Sequence, residues 1–414
     1  MNRATLTIFR ADRDNQVHLT VNCLCKTHTF HSTISRDSLP LKSTFCHCNS
    51  CRHVTGGLYT SCIAWPGSGS DIVRSSLKKY KFSENFQILF CSKCSSPLFW
   101  DIREEEGRPP TFKAFTGTLV NHPIHGMVQF THHIFVGDTI DGGASMWLRK
   151  PNVDGTITTR WAGRQGESDE IPSEWPPADG LPDAAAKPGP DSISIRCHCR
   201  GVEFAVRRGD TDYSRRPKGQ LPWFVDPTTY KSWGGFDGCD SCRLSSGVDV
   251  FNWTFALLEH VGFREYDRLD TDESDSSTVP FPRNVSSFRT AVSAKNRDHR
   301  FGTLVSYQSS TNVQRHFCSR CSACVFLTSD ERPDMINIAV GLLVSPDGAR
   351  AENMISWAFG GNRLWLGDML GGWREDLLDS VETEVEVWRV ERGYPKHWYR
   401  LQMEKAHDGI APPE

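Results

Sequence analysis

The chain has 414 residues, room for two or three domains, with 38% hydrophobic and 23% charged residues, as in a globular protein. A net charge of −3 and a pI near 6.6 argue against a general nucleic-acid binder, which usually carries a basic domain. No run approaches the ~18–20 uninterrupted apolar residues of a membrane-spanning helix, and Met1 to Gln16 carries scattered charges without the apolar core of a signal peptide.

That reading places the chain in the cytoplasm, with the nucleus as a further location, and decides how its 15 cysteines are read. In a reducing compartment, and with an odd count in a long chain, paired cysteine motifs point to metal ligands and not to disulfides.

In chain order, Val17 to Val21 alternates apolar and polar residues and runs into Cys23-Leu-Cys25. The stretch Cys46-His-Cys-Asn-Ser-Cys51-Arg52 follows, with Cys46, Cys48 and Cys51 spaced C-x-C-x-x-C. Tetrahedral zinc takes four ligands, and catalytic sites keep one position open, so a three-thiolate claw suits an open site. Short runs bounded by Gly, Pro, Ser or Asp then read as strands: Tyr59 to Trp65, Phe86 to Phe90, Leu98 to Ile102, Phe112 to Phe115 and His133 to Val136. Cys91-Ser-Lys-Cys94 lies among them, and with Cys23 and Cys25 it supplies four sulfurs for one closed site. Cys62, inside an apolar strand, reads as a core thiol.

The motifs then recur in the same order. Ile193 to Ile195 runs into Cys197-His-Cys199, Cys239-Asp-Ser-Cys242-Arg243 echoes Cys48 to Arg52, and Phe317-Cys318-Ser-Arg-Cys321 echoes Phe90 to Cys94. This repetition predicts a tandem duplication. The expected organisation is a first domain over 14–163, a Pro-, Gly- and Ala-rich linker over 164–191 and a second domain over 192–385. In the second copy Asp237 stands where Cys46 stands in the first, leaving Cys239 and Cys242; a mixed site or a weakened one follows from that. Cys324, just past Cys321, either substitutes as a ligand or packs as a small hydrophobe. Second-copy strands are expected at Val248 to Leu257, Arg315 to Phe317, Val325 to Thr328 and Met335 to Val340. Insertions are expected at Asp210 to Trp233 and Arg264 to Arg300, the latter holding the acidic, serine-rich run Asp270 to Ser277. The best helix is Leu366 to Val381, interrupted by Gly371 and Gly372.

The combined pattern of Cys23-x-Cys25 after a strand, Cys46 to Arg52 with Gly56 shortly after, and Phe90-Cys-x-x-Cys-x-Ser-Pro-Leu-Phe99 resembles the glutathione-dependent formaldehyde-activating enzyme family, which includes centromere protein V. Gly117-Thr-Leu and His133 to Asp138 also look like its closing segments. Lys26 and Ser95 stand where the family usually has glycine. The resemblance implies a mainly β fold of two tandem β-tent zinc-binding domains made of small antiparallel sheets. It implies a structural zinc on Cys23, Cys25, Cys91 and Cys94, repeated on Cys197, Cys199, Cys318 and Cys321, and a catalytic zinc on Cys46, Cys48 and Cys51. It also implies a carbon–sulfur lyase or glutathione-adduct synthase acting on a thiol–aldehyde adduct, with a small thiol such as glutathione as partner.

A three-thiolate zinc would lower the pKa of a bound thiol or polarise a carbonyl. His47 and His53 flank the claw as proton shuttles or supports, or as simple surface histidines; Arg52 pairs with a substrate carboxylate or balances the thiolates. The competing reading is a non-enzymatic zinc-stabilised protein-interaction module, favoured by the altered second site and the insertions. A redox dithiol protein fits less well, because the C-x-x-C pairs sit among further ligands.

Overall fold

The computed structural model describes residues 15–103, 109–176, 190–264, 280–359 and 368–407. The run Asp270 to Ser277, most of the linker (177–189) and the start of the helix expected at Leu366 lie outside them.

The chain is mainly β, and among the described residues the strands form four sheets with no closed barrel. In the first half, β1 (Gln16–Asn22) and β2 (Thr29–Ser35) form a two-stranded ribbon. The rest form one sheet: β3 (Leu41–Cys46), β4 (Thr60–Ala64), β5 (Lys78–Lys81), β6 (Phe86–Phe90), β7 (Pro97–Ile102), β8 (Thr111–Phe115), β9 (Val128–Ile134) and β10 (Thr159–Arg160). Its order is β10-β9-β3-β4-β8-β7-β6-β5.

The second half contains β11 (Ser192–Arg196), β12 (Glu203–Arg207), β13 (Ser232–Asp237), β14 (Phe251–Leu257), β15 (Val261–Phe263), β16 (Leu304–Ser310), β17 (Val313–Cys318), β18 (Cys324–Ser329), β19 (Met335–Ala339), β20 (Leu343–Val344) and β21 (Ile355–Trp357). One sheet runs β15-β12-β11-β20; the other runs β21-β13-β14-β19-β18-β17-β16. Set beside β9-β3-β4-β8-β7-β6-β5, that second order matches strand for strand. Pairing is antiparallel except at β3–β9, β9–β10 and β13–β21.

Burial follows the sequence pattern. β1 alternates, sending Val17, Leu19 and Val21 inward, whereas β7 and β18 are buried along their whole lengths. A strand buried on both faces reads as a continuous apolar run, and these lie in sheets whose outer faces are also covered.

Two short helices carry the C-x-x-C-Arg motifs: α1 (Asn49–Thr55) and, in the second half, its counterpart Asp240–Ser246. In chain order the remaining helices are α2 (Gly69–Arg74), α3 (Asp210–Tyr213), α4 (that same Asp240–Ser246), α5 (Val285–Ser293), α6 (Trp373–Glu391) and α7 (Trp398–His407). Gly56 and Gly247 end α1 and α4 in the left-handed region, at φ +84° and +77°. Each then meets the other half. Gly341 N donates to Gly56 O at 2.9 Å, and Gly117 N donates to Gly247 O at 3.1 Å. A Cβ at Gly56 would stand 2.3 Å from Cys324 O and one at Gly117 2.3 Å from Gly247 C, so the seam requires glycine at both.

The expected helix at Leu366–Val381 starts later and runs further. Gly371 and Gly372 precede α6 and do not interrupt it; a Cβ at Gly372 would lie 2.1 Å from His122 O. The stripe Trp373, Leu377, Val381, Val385 and Trp388 is buried at helical spacing and carries the helix to Glu391. The expected second-domain boundary at residue 385 therefore falls inside α6. This helix lies against the first half, where His125 Nδ1 meets Asp376 at 2.7 Å and Arg149 Nε donates to Glu384 at 2.7 Å. Among the described residues no helix is long and apolar enough to cross a membrane.

Candidate metal and catalytic site

All 15 cysteines are free thiols. The structure gathers 13 of them, with Asp237, into four groups whose ligand atoms within each group all lie within 4.8 Å of one another: Cys23, Cys25, Cys91 and Cys94; Cys197, Cys199, Cys318 and Cys321; Cys46, Cys48 and Cys51; and Asp237 with Cys239 and Cys242.

The two four-thiol groups are built alike. Each joins the turn after the first strand of its half (β1 or β11) to the turn between β6 and β7 or between β17 and β18. Neighbouring sulfurs stand 3.5 Å (Cys23–Cys25), 3.6 Å (Cys25–Cys91 and Cys197–Cys199) and 3.4 Å (Cys199–Cys318) apart. Tetrahedral bonds of ~2.3 Å put sulfurs roughly 3.8 Å apart, so the donor set suits one metal ion with modest adjustment. Backbone amides point at the sulfurs, His28 N to Cys23 and Val202 N to Cys197, each at 3.3 Å. The turns pass through the left-handed region at Lys26 (φ +57°) and Ser95 (φ +67°), and at Arg200 and Ser322 in the second half. That geometry is why glycine is the easier residue there.

The three-thiol group sits where β3 hands over to α1. Cys46 ends β3, and Cys48 is the N-cap of α1, accepting from Cys51 N at 3.3 Å. Asp138 accepts from Asn49 N at 3.1 Å and holds the helix start. Cys46 and Cys48 are partly exposed, whereas Cys51 is buried. Donation from the Cys46 and Cys51 thiols and from backbone amides pushes Cys48 well down, to about 3, while its two neighbours are pushed up. Three close thiols thus concentrate negative charge on one sulfur, the electrostatic state a cation would relieve.

His47 and His53 are not surface histidines. His47 has no solvent exposure, and its Nε2 is 2.8 Å from His133 Nδ1; His133 Nε2 in turn reaches Thr158 Oγ1 at 2.8 Å and Leu148 O at 3.0 Å. Burial, then the Arg52 charge, lowers both His47 and His53 to about 3, so both are neutral. Arg52 is buried, bonded through Nη2 to Asn49, and leaves Nε and Nη1 without partners. Arg52 and His53 face a cavity of about 390 Å³ whose far wall is second-half: Arg196, His198 and Arg200. Spacing around the claw gave no sign of those three residues, because only the folding of one half onto the other brings them there.

In the second half Asp237 ends β13 as Cys46 ends β3, and Cys239 caps α4 as Cys48 caps α1. Cys324 is buried at the start of β18 and joins neither group; burial pushes its thiol up to about 12. Cys62 is partly exposed on β4, with its thiol pushed up to about 11 by desolvation.

No curated protein and no solved structure matches the chain. Residues 18–138, which hold the first four-thiol group, the three-thiol group and Asp138, match the family model described as glutathione-dependent formaldehyde-activating enzyme. Over that segment the chain is therefore similar to the glutathione-dependent formaldehyde-activating enzyme family.

Proposed function

We propose that this chain is a zinc-dependent carbon–sulfur lyase or glutathione-adduct synthase with its active site at Cys46, Cys48 and Cys51. The observation that carries the reading is a three-thiol group standing beside an arginine-lined cavity, while two of the other three groups offer four thiols each. Cys23, Cys25, Cys91 and Cys94 would hold a structural zinc, as would Cys197, Cys199, Cys318 and Cys321. Bound at the three-thiol site, zinc would supply Lewis-acid polarisation and acidify a coordinated thiol.

The chain's own residues would bind and orient. Arg52, buried with two unpartnered nitrogens, suits a carboxylate of an anionic thiol, and Arg196 and Arg200 suit a second one. In the forward reaction the thiol sulfur forms a bond to the aldehyde carbon, the carbonyl π pair moves to oxygen, and the thiol proton ends on that oxygen. His53, on the cavity wall, is placed to pass the proton; His47, tied to His133, holds the back of the claw. The matching strand orders, the recurring motifs and the reciprocal glycine bonds support descent of the two halves from a duplicated unit. The free thiols fit a cytoplasmic or nuclear protein.

The test is turnover of glutathione and formaldehyde by the zinc-loaded full chain. Cys48→Ala should abolish it with melting nearly unchanged, and Cys239→Ala should leave it largely intact. If the well-folded wild type shows no zinc-dependent turnover over a panel of glutathione–aldehyde adducts, a binding module is the better reading.

A further inference from the structure

The second-half group differs from the claw in more than one ligand. Asp237 Oδ1 accepts from Cys239 N at 2.9 Å, and Oδ2 lies 3.2 Å from Cys242 Sγ. Its carboxylate is thereby held against the Cys242 sulfur, with the Cys239 sulfur within 4.8 Å of a carboxylate oxygen. Two further donors converge on Cys242 Sγ, Trp253 Nε1 and Arg315 Nη2, each at 3.4 Å from a buried side chain. A neutral thiol is a weak acceptor, so two N–H groups trained on one sulfur suit a thiolate. A divalent cation with one carboxylate and two thiolates carries a net charge of −1, which the Arg315 guanidinium balances. The first half has none of this: Ile88 stands where Arg315 does, three residues before the C-x-x-C pair, and Cys62 stands where Trp253 does.

The group also lines a cavity of about 690 Å³, larger than the 390 Å³ cavity beside the claw. Its walls include Trp223, Trp233, Phe236, Trp253 and Phe255, in contrast to the arginines and histidines of the first. Trp233 Nε1 and Arg315 Nε are buried at this cavity without partners. A site that had merely decayed would be expected to fill with packing side chains; this one keeps its ligand atoms together, a compensating cation and an open aromatic chamber.

We propose that Asp237, Cys239 and Cys242 form a second, mixed oxygen–sulfur metal site, and that its chamber takes an aromatic thiol. The sulfur of such a ligand would bind the metal while its ring stacks on the tryptophans, so the two halves serve different ligand classes. The metal part rests on the reading that this chain's cysteine groups hold zinc; the experiment separates the two.

The zinc content of the full chain is counted for wild type, Cys48→Ala and Cys239→Ala, with melting as the folding control. Four equivalents are expected for wild type, one per group, and three for each variant. If Cys48→Ala loses one equivalent and Cys239→Ala loses none, the second-half site is overturned while the claw reading stands. If neither variant loses one, both fail. In the cobalt-loaded chain, Asp237→Cys should raise the thiolate-to-cobalt charge-transfer absorption; unchanged absorption overturns Asp237 as a ligand. Thiophenol should quench tryptophan fluorescence saturably in the zinc-loaded wild type, and Cys239→Ala should weaken its binding at least tenfold. Equal binding by the two overturns the ligand assignment.

Discussion

Arg374 Nε lies 3.1 Å from Asp249 Oδ1, and neither side chain has any solvent exposure. The pair joins α6 to the turn after α4, and it reaches the first half as well. Thr116 Oγ1 donates to Asp249 Oδ2, and Arg374 Nη2 donates to the carbonyls of Thr116 and Leu119. Removing one partner leaves the other charged and dry, which typically costs about 3–5 kcal/mol. Arg374→Met should lose stability on that scale in urea unfolding, and Arg374→Met/Asp249→Asn should recover much of it. Equal stability of Arg374→Met and wild type would show that the pair does not hold the seam.

Cys91→Ser tests the structural role of the first four-thiol group. Structural metal sites contribute folding energy directly. The variant should bind one zinc fewer, and the first half should melt well below wild type, as should wild type treated with a strong chelator. Unchanged melting in both would mean that the group does not hold the fold.

How much of this was legible beforehand differs by element. The grouping of the cysteines was, because C-x-C and C-x-x-C spacing is local and each pair is placed by its own turn. Several strands were, because alternation and Gly/Pro punctuation are also local, but the one expected at His133 to Val136 is β9, which runs from Val128 to Ile134 and gives way to a 3-10 turn at Val136. The cavity beside Arg52 was not: Arg196 and Arg200 are more than 140 positions away in sequence and arrive only through the contact of the two halves. The extent of α6 was also missed, because Gly371 and Gly372 looked like breaks in a helix that in fact begins after them.

Arg52 and Arg196 give a substrate test. Hydrogen bonds to charged groups are worth about 1.5–3 kcal/mol, roughly a ten- to hundredfold change in affinity. Arg52→Met and Arg196→Met should raise KM for glutathione by about that factor, with little change in KM for 2-mercaptoethanol, which has no carboxylate. Equal changes for both thiols would rule out carboxylate recognition.

His397 makes stability depend on pH. Its ring is buried near Trp233 and Trp398, and desolvation lowers its pKa to about 4, with Asp226 opposing. Between the ordinary value of about 6.5 and 4 the unfolded chain takes up a proton that the folded chain does not, so stability falls as pH falls through that window. It is fully present above pH 6.5. At ~1.4 kcal/mol per pH unit, the full loss is up to about 3 kcal/mol. Urea unfolding at pH 7 and pH 5 should show the slope, and His397→Gln should flatten it; parallel slopes would assign the effect to other groups.

The position of α6 sets the order in which the molecule can be finished. Trp373 lies 6.4 Å from Phe130, and Glu384 meets both Arg149 and Lys150, so the first half's surface is closed by residues made long after it. Some 220 positions separate Lys150 from Trp373, on the order of ten to forty seconds of synthesis at about 5–20 residues per second. For that interval a nascent chain on the ribosome presents an apolar face with no cover, a natural point for a chaperone to bind. Truncation before residue 373 would make that interval permanent.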